Sequence, residues 1–231
     1  MRLGILFSGG KDSTLALHMV TKKETTVCLI TVASRNKESF MFHTPNIDMA
    51  ALQAQALELP LICMQTEGKK EEELVELECA IAEAKNRFDI QGIVTGAVES
   101  VYQTSRVQRI CNKLNLELVN PLWKHDQKAL LEKLLIKKFQ IIISGVFAYP
   151  LNETWLGRQI DADTIAQLLE LQRKYGVSPS GEGGEIETTV LDAPLFKQRI
   201  EIIDTKTEWQ GSSGVYIIKT ARLIPKPIIG I

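Results

Sequence analysis

Short apolar runs alternate with stretches of helical period through the first half of this chain. LGILF (3–7), VCLITVA (27–33), LICMQ (61–65), GIVTG (92–96) and LELVN (116–120) have β character, and the segments between them repeat their apolar residues at helical spacing. Strand and helix in alternation predict a parallel sheet with flanking helices. Asp12 marks one helix start, and Thr44-Pro45 marks another, a cap residue followed by proline at the first helical position. Residues 70–87, KEEELVELECAIAEAKNR, predict an amphipathic helix whose acidic start and basic end match its dipole, with the charges on a solvated face.

Beyond NPLW (120–123) the order changes. A helix over about 126–138 precedes the buried-type strand FQIIISGVFA, then an irregular stretch, a helix near 161–174, and the β-type segments ETTVLDA, RIEIID and GVYIIKTARL. TKTEWQGSSG, before the last of these, has the polar, glycine-containing character of a hairpin connection. The pattern predicts two domains, an α/β domain over 1–123 and a smaller mixed α+β domain over 124–231.

Composition narrows the class. The 231 residues, 45% of them hydrophobic, suffice for a sizeable core. No apolar run reaches the roughly 18 residues of a membrane span. The start, MRLGILFSGGKD, meets glycine and charge too early for a secretory signal, so the expected compartment is the cytoplasm. Twenty-seven basic and 28 acidic residues give a net charge of −1, which offers no overall field for a polyanion and no strong nucleic-acid signal. Cys28, Cys63, Cys79 and Cys111 form no C-x-x-C pair, which disfavours zinc and dithiol chemistry; all four are expected to be buried thiols.

The first strand carries chemistry at its end. Ser8-Gly9-Gly10-Lys11-Asp12-Ser13 turns directly into the apolar-periodic STLALHMV, so backbone N–H groups, a helix N-terminus and the ammonium of a loop lysine, Lys11, converge where a pyrophosphate would sit. The spacing is not that of the Walker A loop, which places four residues between its first glycine and Gly-Lys-Ser/Thr. A plain glycine turn from strand to helix is the bland alternative. The octapeptide GEGGEIET (181–188) is ambiguous by itself: its glycines permit tight turns, and its glutamates either keep a turn in water or line a site.

With these residues in place, the chain resembles a known family. SGGKDS resembles the PP-loop of the N-type ATP pyrophosphatases, which cleave ATP between the α- and β-phosphates to adenylate a substrate. GAVESVYQTSRVQRICNKLNLELVNPLW (96–123), WLGR (155–158) and GEGGEIETTVLDAPLF (181–196) resemble the diphthine ammonia ligase branch, in its short archaeal-type form without the added C-terminal domains of longer members. Ile186 stands where an aromatic is expected.

The resemblance implies a nucleotide-binding fold of the adenine nucleotide alpha hydrolase-like, HUP type. It implies a reaction in which ATP, ammonia and the carboxylate of diphthine, a modified histidine of translation elongation factor 2, give diphthamide, AMP and pyrophosphate. It implies Mg2+ bridging the phosphates, with Asp12 as a direct or water-mediated ligand. Ser8, Gly9, Gly10, Lys11, Asp12, Ser13 and Gly96 are the expected nucleotide-binding residues, with Lys11 stabilising the leaving pyrophosphate. Glu182 or Glu185 is expected to hold ammonium or take its proton, in a loop that closes over the α-phosphate, with Gly183, Gly184 and Glu187 beside them. Tyr102, Gln103, Trp155 and Arg158 are weaker substrate candidates, Trp155 or Tyr102 as an aromatic wall for diphthine's trimethylammonium. Free ammonia is the expected nitrogen source, since none of His18, His43 and His125 adjoins a cysteine. His43 lies where adenine or substrate would pass, and His18 is expected to be a packing or surface residue. A tRNA-modifying adenylating enzyme, a small-molecule amide synthetase and a non-catalytic nucleotide-binding module are the alternatives.

Overall fold

In a computed structural model the chain is described over residues 1–34, 45–67 and 73–227. Its first unit, Met1–Ala50 with Leu59–His125, is built on five parallel strands: β1 (Arg2–Leu6), β2 (Thr25–Ser34), β3 (Leu61–Thr66), β4 (Gly92–Val94) and β5 (Glu117–Val119). Their order is β3-β2-β1-β4-β5, so the chain walks to one side of β1 and then crosses to the other. A reversal of this kind separates the loops that leave β1 and β4 and opens a crevice at their carboxyl ends.

Both faces of this sheet are buried, which explains why its strands read as nearly continuous apolar runs. Cys28, Ile30 and Val32 turn to a cluster with Leu77, Ala80 and Ile81 of α3 (Glu73–Phe88) and with Val107 and Ile110 of α4 (Val101–Lys113). Leu3, Ile5 and Leu29, at the alternate positions, are equally inaccessible, and α1 (Lys11–Val20) packs on β1 and β2. Each such leucine or isoleucine contributes about 1.5–3 kcal/mol by leaving water.

Three expectations change here. The helix expected to begin at Pro45 begins at Met49, because Pro45 lies in a turn; Thr44 and His43 fall outside the described residues. The charges of α3 are largely solvated, but Glu73 is buried in its first turn, where a carboxylate complements the helix dipole. Only Cys28 and Cys111 are buried thiols, pushed up to about 11 by burial. Cys63, on the edge strand β3, and Cys79, on α3, are exposed.

The second unit, Ala51–Glu58 with Asp126–Ile231, has an antiparallel sheet of order β7-β6-β9-β8. The strands are β6 (Gln140–Val146), β7 (Ile186–Asp192), β8 (Gln198–Gln210) and β9 (Ser213–Pro225). Helices α5 (Gln127–Ile136) and α6 (Ala162–Tyr175) pack together, burying Leu130, Leu131, Leu134, Ile165 and Leu168. Most of α2 (Met49–Leu57) belongs to this unit: buried Gln53 donates to the Val190 carbonyl at 2.8 Å, and the Lys197 N–H donates to Ala56 at 2.6 Å.

The polar stretch 205–214 is not a long connection. Thr205–Gln210 continue β8, and only Gly211, at φ +61°, and Ser212 make the turn. The end of β8 is mostly polar and so lacks the apolar alternation that marks a strand, and the ribbon's polar residues pair across and along the strands, as in Arg222–Glu201 at 2.6 Å and Lys206–Glu208 at 2.7 Å. No helix among the described residues is long and apolar enough to cross a membrane.

Candidate functional site

The backbone turns from β1 into α1 through Gly9, at φ +77°, a conformation that favours glycine. Gly10 follows as the N-cap, extended at φ −80° and ψ 172°, and no side chain caps the helix. By contrast Ser100, Asp126 and Asp161 cap α4, α5 and α6 with side-chain oxygens. The first turn of a helix presents N–H groups that its own carbonyls cannot satisfy, so an uncapped start accommodates an anion.

Side chains fix the shape of this turn. The Gly10 carbonyl accepts from the hydroxyls of Ser13 at 3.2 Å and Thr14 at 2.8 Å, while the Ser8 hydroxyl lies 3.4 Å from the Gly10 nitrogen and 3.3 Å from the Ser13 hydroxyl. Thr31 anchors the preceding residue by donating to the Phe7 carbonyl at 2.6 Å. Lys11 is the first residue of α1 rather than a loop residue, and only 4% of its surface is exposed. Its ammonium pairs with the Asp12 carboxylate at 2.6 Å.

Gly96 closes the turn from the side of β4. A Cβ there would stand 2.7 Å from the Ser13 nitrogen and 2.8 Å from the Asp12 carbonyl carbon, so only glycine lets the two backbones meet. Thr95 and Asn120, which periodicity did not single out, hold this approach. The Thr95 hydroxyl donates to the Asn120 side-chain oxygen and accepts from the Ala97 N–H at 3.3 Å. Tyr102 and Gln103 lie in the first turn of α4; the Gln103 N–H binds the cap Ser100, and the Tyr102 ring has the Arg106 guanidinium 3.4 Å from its centroid. His125 is exposed, and His18 is half-buried on α1.

In the second unit the GEGGE loop is braced from within. Gly181 and Gly184 take φ of +76° and +81°, and the Glu185 carboxylate accepts from the Ser178 and Gly183 N–H groups, both at 2.9 Å. Gln127, at the start of α5, uses one oxygen to accept the hydroxyls of Ser178 at 2.7 Å and Ser180 at 2.8 Å. Glu182 and Glu187 are half-buried in the same loop and strand, and Gly183 and Gly184 are exposed.

WLGR has an architectural explanation. The Gly157 N–H donates to Ile143 at 2.8 Å and the Ile143 N–H to Arg158 at 2.9 Å, laying this segment along β6. Gly157, at φ +75°, leaves room for the Tyr216 ring, which a Cβ would approach to 2.7 Å. Trp155 is buried, with the Arg158 guanidinium 4.6 Å from its ring centroid, and Arg158 donates to Gln167 on α6 at 2.9 Å. Among the described residues no three His, Cys, Asp or Glu side chains gather as a metal cage.

Comparison with known proteins gives a family and several relatives. The family model described as "Diphthamide synthase N-terminal domain" matches residues 1–118, and "Diphthamide synthase C-terminal domain" matches 126–224. The chain is similar to the diphthine--ammonia ligase of Bos taurus, 36% identical over 89% of this chain and 84% of that protein. It is similar to the human protein of the same name, 34% identical over 89% and 84%, and to that of Schizosaccharomyces pombe, 33% identical over 93% of this chain but 38% of the longer yeast protein. A slighter likeness, TM-score 0.42 at 19% identity over 84% of this chain and 98% of the other, is to the solved structure of a predicted subunit of tRNA methyltransferase from Methanocaldococcus jannaschii.

Two variants test these roles. Gly96→Ala drives a methyl group into backbone rather than into a yielding side chain, so it is expected to lower stability by about 1–3 kcal/mol and to weaken ATP binding; urea unfolding and calorimetric titration read the two effects, and unchanged ATP affinity would separate Gly96 from the site. Glu185→Gln sets an amide NH2 against either the Ser178 or the Gly183 N–H, a loss of about 1–3 kcal/mol locally. Amide exchange at both residues is expected to quicken, and unaltered protection would show that Glu185 does not hold the loop.

Proposed function

Because this chain belongs to the diphthamide synthase family, we propose that it converts diphthine on translation elongation factor 2 to diphthamide, using ATP and ammonia. It is an ATP-dependent ligase, and the observation that carries its nucleotide chemistry is the uncapped start of α1, with Gly9, Gly10 and buried Lys11 at the carboxyl end of β1. We assign nucleotide activation to residues 1–123 and recognition of the protein substrate to 124–231, with the cytoplasm as the compartment.

A carboxylate resists attack by ammonia because its own charge repels electrons and its oxygen leaves poorly. Transfer of AMP to that carboxylate forms a C–O–P linkage and expels pyrophosphate. Ammonia then adds to the carbonyl carbon, loses a proton, and displaces AMP. The N–H groups at the start of α1 and the Lys11 ammonium favour the negative charge that develops on the leaving pyrophosphate. Glu182 is our candidate for the group that holds ammonium or takes its proton. Glu185 positions the loop, since both its oxygens are engaged with backbone N–H groups.

Mg2+ fits this site as an ion held chiefly by phosphate oxygens and water. Such an ion takes only one or two carboxylates from the protein, and Asp12 offers one at the cradle. When bound, it would draw negative charge from the phosphates; Lys11 holds the Asp12 carboxylate in place beside them.

Incubation with diphthine-bearing elongation factor, ATP and ammonium is expected to release AMP and pyrophosphate in equal amounts, with amidation of the modified histidine seen by mass spectrometry. ADP and phosphate as the main products would overturn the adenylation reading. Lys11→Met removes the charge while retaining most of the buried stem. It is expected to lower kcat by roughly 10²–10³, the scale of losing one donor to a developing anion, with little change in melting temperature. Wild-type turnover in that variant would remove Lys11 from the chemistry.

A further inference from the structure

The exposed aromatic side chains among the described residues all border one loop. They are Phe147 at 37% exposure, Tyr149 at 76% and Tyr175 at 52%. Other large rings go inside, as Phe7, Phe139, Phe196 and Trp155 do. Three exposed rings gathered in one region form an apolar patch of the kind that marks a binding surface.

Local geometry ties these rings to the GEGGE loop. Phe147 follows β6, and its N–H donates to the Glu185 carbonyl at 2.9 Å, while the Glu185 carboxylate holds Ser178 and Gly183. Gly145 makes room for the Phe147 ring, which a Cβ would approach to 2.6 Å; the Glu187 Cβ lies 3.1 Å from that same point. Tyr175 ends α6, and Gly176 at φ +72° turns the chain toward Ser178. The Tyr149 and Tyr175 rings stand 5.7 Å apart at 84°, edge to face, which makes them one perpendicular aromatic corner at the surface.

The carboxylates beside this corner come from the GEGGE loop and the start of β7: Glu182, Glu185 and Glu187 lie there with no lysine or arginine among residues 176–191, while Arg173 and Lys174 precede Tyr175 on α6, Lys174 in an ion pair with Glu170 at 2.6 Å. Aromatic faces with surrounding carboxylates suit a cation that donates no hydrogen bond, because the ring quadrupole and the anionic field both act without a directed N–H. Diphthine presents such a group, a quaternary trimethylammonium. The rings of Trp155 and Tyr102 are poorer candidates, each carrying a guanidinium of the protein itself.

We infer that Tyr149 and Tyr175, with Phe147 beside them, form the surface on which the second unit takes up the quaternary ammonium group of the protein substrate, in the negative field of the GEGGE loop. This rests on the amidation reading above. The loop and the rings then act as one recognition element: Glu185 fixes the backbone of both, and the ring faces select for a methylated cation over a hydrated ammonium ion.

The test compares wild-type protein with the double variants Tyr149→Ala/Tyr175→Ala and Tyr149→Phe/Tyr175→Phe in the amidation assay, with circular dichroism as the folding control. The alanine pair is expected to raise KM for the trimethylated protein about tenfold, equivalent to ~1.4 kcal/mol, with kcat and the KM for ATP within twofold of wild type. The phenylalanine pair, which keeps both faces, is expected to behave as wild type. Wild-type KM for the protein substrate in the alanine pair would overturn the inference. So would a wild-type dimer that the alanine pair dissociates in sedimentation, since the rings would then serve a second copy of the chain. If wild-type protein does not amidate at all, the amidation reading fails separately. Tetramethylammonium chloride titrated against sodium chloride then judges the aromatic site by NMR: shifts near Tyr149 and Tyr175 that the alanine pair loses uphold it, and none overturn it.

Discussion

A helix that begins on glycine has no N-cap side chain in front of its first-turn N–H groups, and α1 begins in that way. Serine or aspartate at position 10 would place an oxygen over those donors and fill the space in front of them. Glycine at an N-cap costs only a few tenths of a kcal/mol relative to the better caps, so the fold gives up little stability to keep the position open. The other side of the site depends on a second missing side chain, at Gly96, which permits β4 to end against the backbone of Asp12 and Ser13. The parallel sheet supplies the reason the two segments meet, because β1 and β4 are neighbours on either side of the chain reversal.

The same residue type does different work in the second unit. Glu185 lies in a loop rich in glycine, whose backbone would otherwise have many conformations to choose from. Its carboxylate ties Ser178 to Gly183, and Gln127 ties Ser178 to Ser180 from the start of α5. A flexible sequence is thereby made into a defined turn, which lowers the ordering cost of binding at it. Glycine sets the path of the backbone there, and the carboxylate and the amide select one path from several.

Much of this was legible in the sequence, because the parallel strands are buried on both faces and their apolar runs stand out between helical segments. SGGKDS was legible for a similar reason: its position between a strand and a helix restricts what the glycines can be for. The polar end of β8 was not, since Thr205-Lys206-Thr207-Glu208 carries no apolar alternation of the kind that marks a half-buried strand. Nor was Glu185's role as a brace. A glutamate that accepts backbone N–H groups two and seven residues away looks in sequence like any acidic turn residue. Thr95, Asn120 and Gln127 are ordinary polar residues whose importance comes from the partners the fold brings to them. Cys63 and Cys79 were misplaced because burial of a cysteine follows its strand's position in the sheet and its face of the helix, and neither is written in the residue itself.

The net charge of −1 says little about either site, because the two units present groups of opposite character. At the start of α1 the groups are backbone donors and a buried lysine, which suit anionic oxygen. Along 176–196 they are carboxylates and, at the border, ring faces, which suit a cation. A parallel sheet aims helix N-termini toward its carboxyl edge and so readily builds the first kind of site. In the second unit the loop that precedes β7 takes its negative character from the carboxylates of Glu182, Glu185 and Glu187. A chain of nearly zero net charge therefore carries two local fields of opposite sign, one in each unit, by separating donors from acceptors rather than by accumulating either sign.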